Sequence, residues 1–255
     1  MIIDSHAHYD DEKYDEDREE VINSMHANGV EAVVNIGTSV QSSQNSIDLA
    51  HKYDNVYAVV GIHPDEIEGD IAEIIASIKA FASDEKVVAI GEIGLDYSYY
   101  KDNKELQKQW FDAQLRLAKE LKLPFVIHSR DAAKDTFDMI KANHEEGVKG
   151  IIHCFSYSKE IAREYVKMGY YIGVGGVVTF KNAISLKEVV ADIPIENIVL
   201  ETDAPYLAPV PYRGKRNNSI YIKYIAEEIA RIKGITTQEV IGITTDNTKN
   251  VYNLV

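Results

Sequence analysis

The first residues of the chain, MIIDSHAHYD, place two histidines directly after a short apolar pair. Side chains alternate in direction along an extended segment, so His6 and His8 point to the same side. Two imidazoles on one side at the end of a buried strand are a natural pair of metal ligands. The pattern alone is also compatible with packed polar histidines, so its meaning depends on the other candidate ligands.

Histidines and carboxylates recur where later apolar runs end. Five such residues end the third, fourth, fifth, sixth and eighth runs, in that order: His63, Glu92, His128, His153 and Asp203. Taken singly, each has an ordinary alternative role as a packed histidine, a structural carboxylate or a turn cap. The other three histidines, His26, His51 and His144, fall in helical segments where surface roles suffice.

The apolar runs alternate with helical patterns along the whole chain. After the opening segment, the runs are Val30–Ile36, Val56–Pro64, Val87–Tyr97, Pro124–Arg130, Gly150–Phe155, Tyr170–Gly176 and Asn197–Asp203. The helical patterns cover Glu19–Ala27, Asn45–Tyr53, Ile71–Ala82, Asn103–Leu121, Ala132–Asn143, Lys159–Lys167, Leu186–Ala191, Ser219–Lys233 and Thr237–Tyr252. Continuous apolar strands that alternate with helices indicate a parallel sheet covered by helices.

Eight such units predict an α/β fold, a closed (β/α)8 TIM barrel, in which residues 1–255 form a single catalytic domain. An open doubly wound sheet is the alternative fold, and it would be expected to have a glycine-rich phosphate-binding loop after the first strand. The chain has the segment DSHAH there instead. Because the active sites of barrels gather at the C-terminal ends of the strands, the candidate ligands are expected to converge on one space.

Composition narrows the class of protein. With 45% hydrophobic and 27% charged residues, the chain has the composition of a globular protein with a sizeable core. No apolar run approaches the roughly 20 residues that span a bilayer, and we see no signal peptide, so we expect a cytoplasmic protein that does not bind membranes. The only cysteine, Cys154, excludes an intramolecular disulfide and suits a reducing compartment. No feature indicates an obligatory protein partner.

The formal net charge of -14 argues against broad binding of duplex nucleic acid through a basic surface. It does not exclude a nucleic-acid enzyme whose site combines bound cations with a local basic loop. Part of the negative charge lies in the run Asp10–Glu20, which we interpret as solvated helix surface.

Four imidazoles and two carboxylates suit intermediate divalent cations such as Zn²⁺ and Mn²⁺. Six ligands exceed the needs of one tetrahedral ion but suffice for two ions about 3.5–4 Å apart. We therefore expect two divalent metal ions (Zn, Mn or Mg), with Glu92 as the bridge between the first histidine pair and the pair His128/His153. Asp203 would ligate one ion and accept a proton from the attacking water, so Glu92 and Asp203 are the expected catalytic residues.

Six motifs in this order, DSHAH, GIHP, GEIGLDY, IHSR, HCFS and ETDAPYL, resemble the TatD family of metal-dependent deoxyribonucleases in the amidohydrolase superfamily. The resemblance covers essentially the whole chain and implies a TIM barrel with a binuclear metal site. By matching positions, it implies metal ligands at His6, His8, Glu92, His128, His153 and Asp203. It also implies that His63 contacts the scissile phosphate. Many amidohydrolases use a carboxylated lysine as the bridge, whereas TatD-like members and this chain have a glutamate there.

Other residues are candidates for binding a nucleic acid. Arg130 could hold phosphate oxygens as a fork, or it could form a salt bridge to a neighbouring loop. The loop Tyr206–Arg216 is basic, with Arg213 as the candidate contact beside Lys215 and Arg216, and could guide a phosphate backbone. Tyr97 and Tyr99-Tyr100 could stack on a base or sugar, or they could simply pack.

Three features have a structural interpretation. Cys154 is expected to be a buried, inert thiol, and Glu201 is expected to orient a metal ligand. Where family members often continue the basic loop with Asn-Glu-Pro, this chain has Asn217-Asn218-Ser219. That difference is expected to change the shape of the substrate channel and to leave the metal ligands in place.

The leading hypothesis is a metal-dependent phosphodiesterase that uses metal-activated water to cleave DNA, single-stranded or at an end. A second hypothesis keeps the metal centre but changes the substrate to a small ester, lactone or amide, which suits the negative net charge. A third is a metal-loaded barrel that binds nucleic acid or a protein without turnover. The intact set of ligands argues against the third.

Overall fold

The structure is a computed structural model that describes residues 1–99 and 101–254. Within these residues, eight parallel strands form one sheet in sequence order. They are β1 (Ile2–Ala7), β2 (Val30–Ile36), β3 (Val56–Val60), β4 (Val87–Asp96), β5 (Phe125–Arg130), β6 (Gly150–Ile152), β7 (Tyr171–Val174) and β8 (Ile198–Leu200). The α-helices of the same residues are α1 (Arg18–Ser24), α2 (Val40–Lys52), α3 (Ile71–Phe81), α4 (Lys104–Leu121), α5 (Ala133–Asn143), α6 (Lys159–Lys167), α7 (Ile184–Asp192), α8 (Ile222–Lys233) and α9 (Thr237–Tyr252).

Contacts between the first and last strands close the sheet into a nearly complete barrel. A parallel bridge joins Ala7 to Ala204, and the backbone amide of His8 donates a hydrogen bond of 2.7 Å to the carbonyl oxygen of Ala204. The Ser5 hydroxyl donates to the carbonyl oxygen of Leu200 at 2.9 Å. The predicted (β/α)8 TIM barrel is therefore confirmed.

The side chains of successive strand residues pack in two different hydrophobic layers. In β2, Val33 packs in the layer that includes the helices, while Val34 belongs to a smaller cluster inside the barrel. Ile127 and Val126 divide in the same way in β5. Both faces of the sheet are thus buried, because helices cover the outside and side chains fill the inside. This explains why the strands read as continuous apolar runs.

Four strands are shorter than the sequence predicted. We expected β6 to reach Phe155 and β7 to reach Gly176, but they end at Ile152 and Val174. We expected the third strand to reach Pro64 and the eighth to reach Asp203, but β3 ends at Val60 and β8 ends at Leu200. Asp203 has a φ of 56°, which is left-handed and incompatible with an extended strand. His63 and Asp203 therefore lie in loops just beyond the strand ends.

The expectation that Glu92 ends the fourth strand is wrong, because β4 continues for four residues to Asp96. Its pairing with β3 extends only to Ile90, whereas its pairing with β5 continues as far as Asp96 opposite Arg130. At Gly94, which has a φ of 148°, a Cβ atom would collide with the carbonyl oxygen of His128. Glycine there allows β4 and β5 to stay close beyond Glu92.

The helices follow the predicted pattern, with differences at their ends. We expected the second helix to begin near Asn45, but α2 begins at Val40, because the Ser39 hydroxyl caps it by accepting a hydrogen bond from the Ser42 amide at 3.1 Å. A capping box between Thr236 and Glu239 begins α9 where it was predicted. None of the helices in the described part of the chain combines the length and apolar character that a bilayer crossing requires.

Candidate metal centre

A cavity of about 770 Å³ opens at the C-terminal ends of the strands. Seven of the predicted metal ligands and substrate contacts line it: His8, His63, Glu92, His128, Arg130, His153 and Asp203. His6 lies beneath its floor and is fully buried. Arg213 is not among the lining residues. The barrel thus brings together all six predicted metal ligands and two of the three predicted substrate contacts.

The first group of donors comes from β1 and the loop after β8. The Nε2 atoms of His6 and His8 lie 3.1 Å apart, so the two side chains converge as their spacing predicted. Asp203 Oδ1 lies 3.8 Å from His6 Nε2 and 3.5 Å from His8 Nε2. His6, His8 and Asp203 each offer a donor atom within 4.8 Å of the others, which is a cluster compact enough for one cation.

The Glu92 carboxylate lies between two sets of imidazoles. Its Oε2 atom is 3.4 Å from His6 Nε2 and 3.9 Å from His8 Nε2. Its Oε1 atom is 3.0 Å from His128 Nδ1 and 3.8 Å from His153 Nε2. The two oxygens of one carboxylate therefore face different histidine pairs, as a bridging ligand must.

His153 lies close to both groups of donors. Its ring stacks on that of His6 with the centroids 3.4 Å apart, and its Nε2 atom lies 3.7 Å from Asp203 Oδ1. His153 thus has Glu92 on one side and Asp203 on the other.

Three of the histidines are held by an acceptor on the far side of the ring. His153 Nδ1 lies 3.0 Å from Glu201 Oε2, and His128 Nε2 lies 3.2 Å from Asp96 Oδ2. His8 Nδ1 lies 3.0 Å from the carbonyl oxygen of Ile36. Carbonyl and carboxylate oxygens only accept hydrogen bonds here, so these ring nitrogens donate. In the neutral rings of His8 and His153 the opposite nitrogen, which faces the cavity, then carries the free lone pair that a metal needs. In His128 the opposite nitrogen, Nδ1, lies 3.0 Å from Glu92 Oε1.

Glu201 therefore has the orienting position expected from the sequence. Its carboxylate is fully buried and its Oε1 atom also accepts a hydrogen bond of 2.7 Å from the Cys154 amide. The prediction that Cys154 is buried is wrong, because this residue is only half-buried and lines the cavity. Its partial burial raises the pKa of the thiol well above the ordinary value, which disfavours the reactive thiolate.

Asp96 is a site residue that sequence reasoning missed, because we considered it only as the neighbour of the tyrosines. A signal was available: Glu92 and Asp96 are four residues apart in one strand, so they face the same side. The structure shows this arrangement, with His128 between the two carboxylates.

The charged groups stabilise one another strongly. Burial opposes ionisation of Glu92, but the electrostatic attraction of His153 keeps the pKa of this carboxyl well below its ordinary value. Asp203 is half-buried, and its electrostatic interaction with His8 helps to lower the pKa of its carboxyl. Burial lowers the pKa of His6 to about 4, so this ring is neutral at pH 7. Both carboxylates are thus in the ionised form that a cation requires.

The residues present fit a divalent cation. The donors are imidazole nitrogens and carboxylate oxygens, the combination that intermediate divalent metals prefer.

His63 lies nearer to the donors than a substrate contact alone requires. Its Nε2 atom is 3.9 Å from Glu92 Oε1, and its ring meets that of His128 edge-on at 4.3 Å between centroids. Nδ1 is paired with Asp65. His63, Glu92 and His128 form a second compact cluster of donor atoms, so His63 is a further candidate ligand.

Arg130 and the tyrosines have different environments in the structure. The Arg130 guanidinium lines the cavity and lies 4.9 Å from the centre of the exposed Tyr99 ring. Tyr97 is buried, and its hydroxyl donates to Asp135 at 2.8 Å, so it packs and does not offer a free ring face. Tyr100 lies outside the described residues.

The arginines of the basic loop lie outside the lining of the metal cavity, although Tyr206 and Leu207 at the start of the loop line it. Arg213 stacks over the Phe180 ring at 4.5 Å, outside the cavity lining. Arg216 is paired with Asp17 at 2.5 Å and lies over the Tyr14 ring. Of these three side chains, Lys215 alone makes no ion pair or ring contact with the described residues, and it is exposed. The structure therefore brings Arg130, and not the cationic side chains of the basic loop, to the candidate ligands.

The segment Asn217-Asn218-Ser219 is structural. Asn217 is fully buried, and its amide donates to the carbonyl oxygens of Thr202 and Tyr206 at 2.7 Å each. Ser219 is also buried, and its hydroxyl donates to Asp4 at 2.5 Å. These contacts anchor the loop after Asp203 to the barrel.

The interpretation of the whole Asp10–Glu20 run as solvated helix surface is wrong at its start. Asp10 precedes the helix and lines the cavity. It accepts hydrogen bonds from Asn35 at 2.9 Å and from the Ser42 hydroxyl at 2.6 Å, so the β2 region and α2 hold it in place.

Known proteins resemble this chain along nearly its whole length. The family model of the TatD-related DNases matches residues 3–253. The metal-dependent hydrolase YabD of Bacillus subtilis is 46% identical over 254 residues, which cover both chains completely. The 3'-5' ssDNA/RNA exonuclease TatD of Salmonella typhimurium is 32% identical over 248 residues, 95% of each chain. The crystal structure of YjjV, a TatD homologue from Escherichia coli, superposes with a TM-score of 0.93 at 28% identity, covering 100% of this chain and 98% of that one.

Proposed function

Because the chain belongs to the TatD family of metal-dependent hydrolases, we propose that it is a deoxyribonuclease that hydrolyses DNA phosphodiesters in single strands or at chain ends. The observation that carries the proposal is the position of Glu92, whose two oxygens face different pairs of histidines. A bridge of this kind is what a two-metal phosphodiesterase requires.

Six residues would hold two divalent ions. His6, His8 and Asp203 would hold one, His128 and His153 the other, and Glu92 both. His63 is close enough to Glu92 to add a seventh donor or to contact the phosphate. When bound, the two cations activate a water molecule and offset the negative charge that builds up on the phosphate.

Asp203 is the residue that would move the proton. It lies at the mouth of the barrel, where its side chain keeps an exposed fraction of 17%, so substrate can reach it. Its lowered pKa keeps the carboxylate ionised and able to accept a proton from the attacking water.

Arg130 would bind the phosphate. It carries the only lysine or arginine charge among the described residues that line the cavity. A single guanidinium can engage one or two phosphates but cannot follow a long backbone. The sparse positive charge therefore supports a substrate held near its end or as a short single strand.

The decisive experiment compares variants on a labelled single-stranded oligonucleotide with added Mn²⁺ or Zn²⁺. We expect Glu92→Ala and Asp203→Ala to lose metal-dependent cleavage, whereas Glu164→Ala, which removes an exposed carboxylate paired with Lys167, should cleave like the parent. Full activity in either site variant would refute the mechanism. Metal binding without cleavage by the parent protein would instead support the non-catalytic hypothesis.

One observation supports a second candidate function, hydrolysis of a small ester, lactone or amide. Against the single guanidinium, six carboxylates line the cavity: Asp10, Asp11, Asp65, Glu66, Glu92 and Asp203. This excess of negative charge is better suited to a neutral substrate than to a polyanion. A panel of lactones and esters, assayed beside the oligonucleotide, distinguishes the two functions.

A further inference from the structure

A second cavity of about 200 Å³ opens beside the metal cavity. Cys154 and Ser156, which follow β6, line both cavities, so the two cavities are adjacent. The smaller cavity lies between these residues, the glycines of β7 and the start of α7. Pockets that hold a whole small ligand usually occupy about 300 Å³ or more. This cavity therefore suits a single ring system of a larger molecule.

Aliphatic side chains form its walls. Val177, Ala183, Ile184 and Leu186 all line it. Ile184, the first residue of α7, is 67% exposed, although a branched aliphatic side chain normally favours burial. An exposed Ile at the rim of an apolar cavity provides contact surface for a ligand and no packing for the core.

Polar side chains stand beside these walls. Asn182 and Ser156 line the cavity and are exposed. Among the described residues, neither side chain has a hydrogen-bond partner, so both are available to a ligand. Apolar walls with hydrogen-bonding groups beside them match a planar heterocycle, which has apolar faces and a polar edge.

The distribution of charge in the larger cavity favours one orientation of a bound substrate. Asp10 and Asp11 follow β1, and Asp65 and Glu66 follow β3, so one wall of the cavity is acidic. In an eight-stranded barrel, β7 lies across from β3. A phosphate ester at the metal centre is repelled by the acidic wall, which leaves the side of β6 and β7 for the uncharged part of the substrate.

We propose that the smaller cavity is a base-binding subsite, which receives the nucleobase of the nucleotide whose phosphate lies at the metal centre. The inference rests on the proposed function, since it takes the substrate to be a nucleic acid. The base would stack against Ile184 and Val177, and its polar edge would reach Asn182.

The test measures binding and does not depend on cleavage. Calorimetry on the Mn²⁺-loaded protein compares thymidine 5'-monophosphate with 2-deoxyribose 5-phosphate, which lacks only the base. We expect the nucleotide to bind about tenfold more tightly, as is usual for one stacked base. Ile184→Ser, which removes the apolar rim, and Ser185→Phe, which fills the cavity from an exposed position, should both reduce this ratio toward one.

Leu106→Ser is the matched control, since Leu106 is also an exposed aliphatic residue at 41% but lies on α4, away from both cavities. It should keep the parent ratio. Equal binding of the two compounds by the parent protein overturns the subsite, whether or not oligonucleotides are cleaved. Hexyl phosphate is a further comparison. If it binds about tenfold more tightly than 2-deoxyribose 5-phosphate and the nucleotide does not, the cavity binds a hydrocarbon chain, and the proposal is again overturned. Failure of cleavage with the binding ratio intact would contradict only the proposed function.

Discussion

The backbone amide of Asp203 donates a hydrogen bond of 3.0 Å to the carbonyl oxygen of His6. This contact fixes the candidate proton acceptor against the first candidate ligand, although the two come from opposite ends of the chain. Just beneath it, Asp4 accepts hydrogen bonds from the Thr202 hydroxyl and the Ser219 hydroxyl, both at 2.5 Å. The closure of the barrel and the geometry of the metal centre therefore depend on the same few contacts.

Thr202→Val should destabilise the protein by about 1–3 kcal/mol, because the fully buried Asp4 loses a hydrogen-bond donor. Urea denaturation measures the free energy of unfolding. Thr248→Val is the matched control: Thr248 is also fully buried, but its hydroxyl only donates to the Thr244 carbonyl within α9. Its substitution should cost less, about 1 kcal/mol or below. Equal losses would show that Asp4 does not need the Thr202 hydroxyl.

Glu201→Gln should weaken metal affinity about 10- to 100-fold. The carbonyl oxygen of a glutamine can still accept the hydrogen bond from the Cys154 amide. Its NH₂ group would then face His153 Nδ1 and donate to it, which favours the histidine tautomer that carries its hydrogen on Nε2. The nitrogen that faces the cavity then loses its free lone pair. Competition with a chelating dye measures the affinity.

A control for Glu201→Gln is available at the surface. Asp84 lies 2.9 Å from His51 Nε2 and forms a carboxylate–histidine pair far from the cavity. Asp84→Asn should leave metal affinity as in the parent. A loss of affinity there, or none in Glu201→Gln, would contradict the orienting role of Glu201.

Removal of metal should lower the stability of the native protein. A ligand that binds only the folded state at a hundred times its dissociation constant adds about 2.7 kcal/mol to the free energy of unfolding. We expect urea denaturation after EDTA treatment to show a loss of this order, restored by Zn²⁺ or Mn²⁺. In Asp203→Ala the response to metal should shrink. Coincident denaturation curves with and without metal would argue against a metal centre in the barrel.

An acid-sensitive ion pair on the helical layer gives a pH prediction. Glu228 in α8 lies 2.7 Å from Arg231 and 3.0 Å from Lys187 in α7, with 17% of its side chain exposed. The hydrogen bond from Arg231 lowers its pKa from 4.5 to about 2. Because the folded-state pKa lies below the unfolded value, the stabilisation is complete above pH 4.5 and decreases as the pH falls toward 2.

Glu228→Gln should therefore cost about 1–2 kcal/mol at pH 7, and its deficit against the parent should shrink below pH 4.5. The neighbouring Glu227 is exposed on the same helix. Glu227→Gln should change stability little at either pH. A deficit in Glu228→Gln that stays constant from pH 7 to 3.5 would mean that the ion pair contributes nothing.

The sequence by itself determined the fold and the residue types of the site. Continuous apolar runs such as Val30–Ile36 predicted a strand with both faces buried, and β2 has the same bounds. The spacing of His6 and His8 predicted that they share a side, since alternation along a strand is a local property of the backbone. The helices α6 and α9 also begin and end where their patterns predicted.

Only the tertiary structure decided how side chains distant in the chain meet. That Asp96 faces His128, that His63 joins Glu92, and that Arg213 lies outside the cavity all depend on register and loop path. The left-handed turn at Asp203, which ends β8 early, depends on the contacts that fix the last loop to β1. Such features follow from packing between distant segments, which a local sequence pattern does not encode.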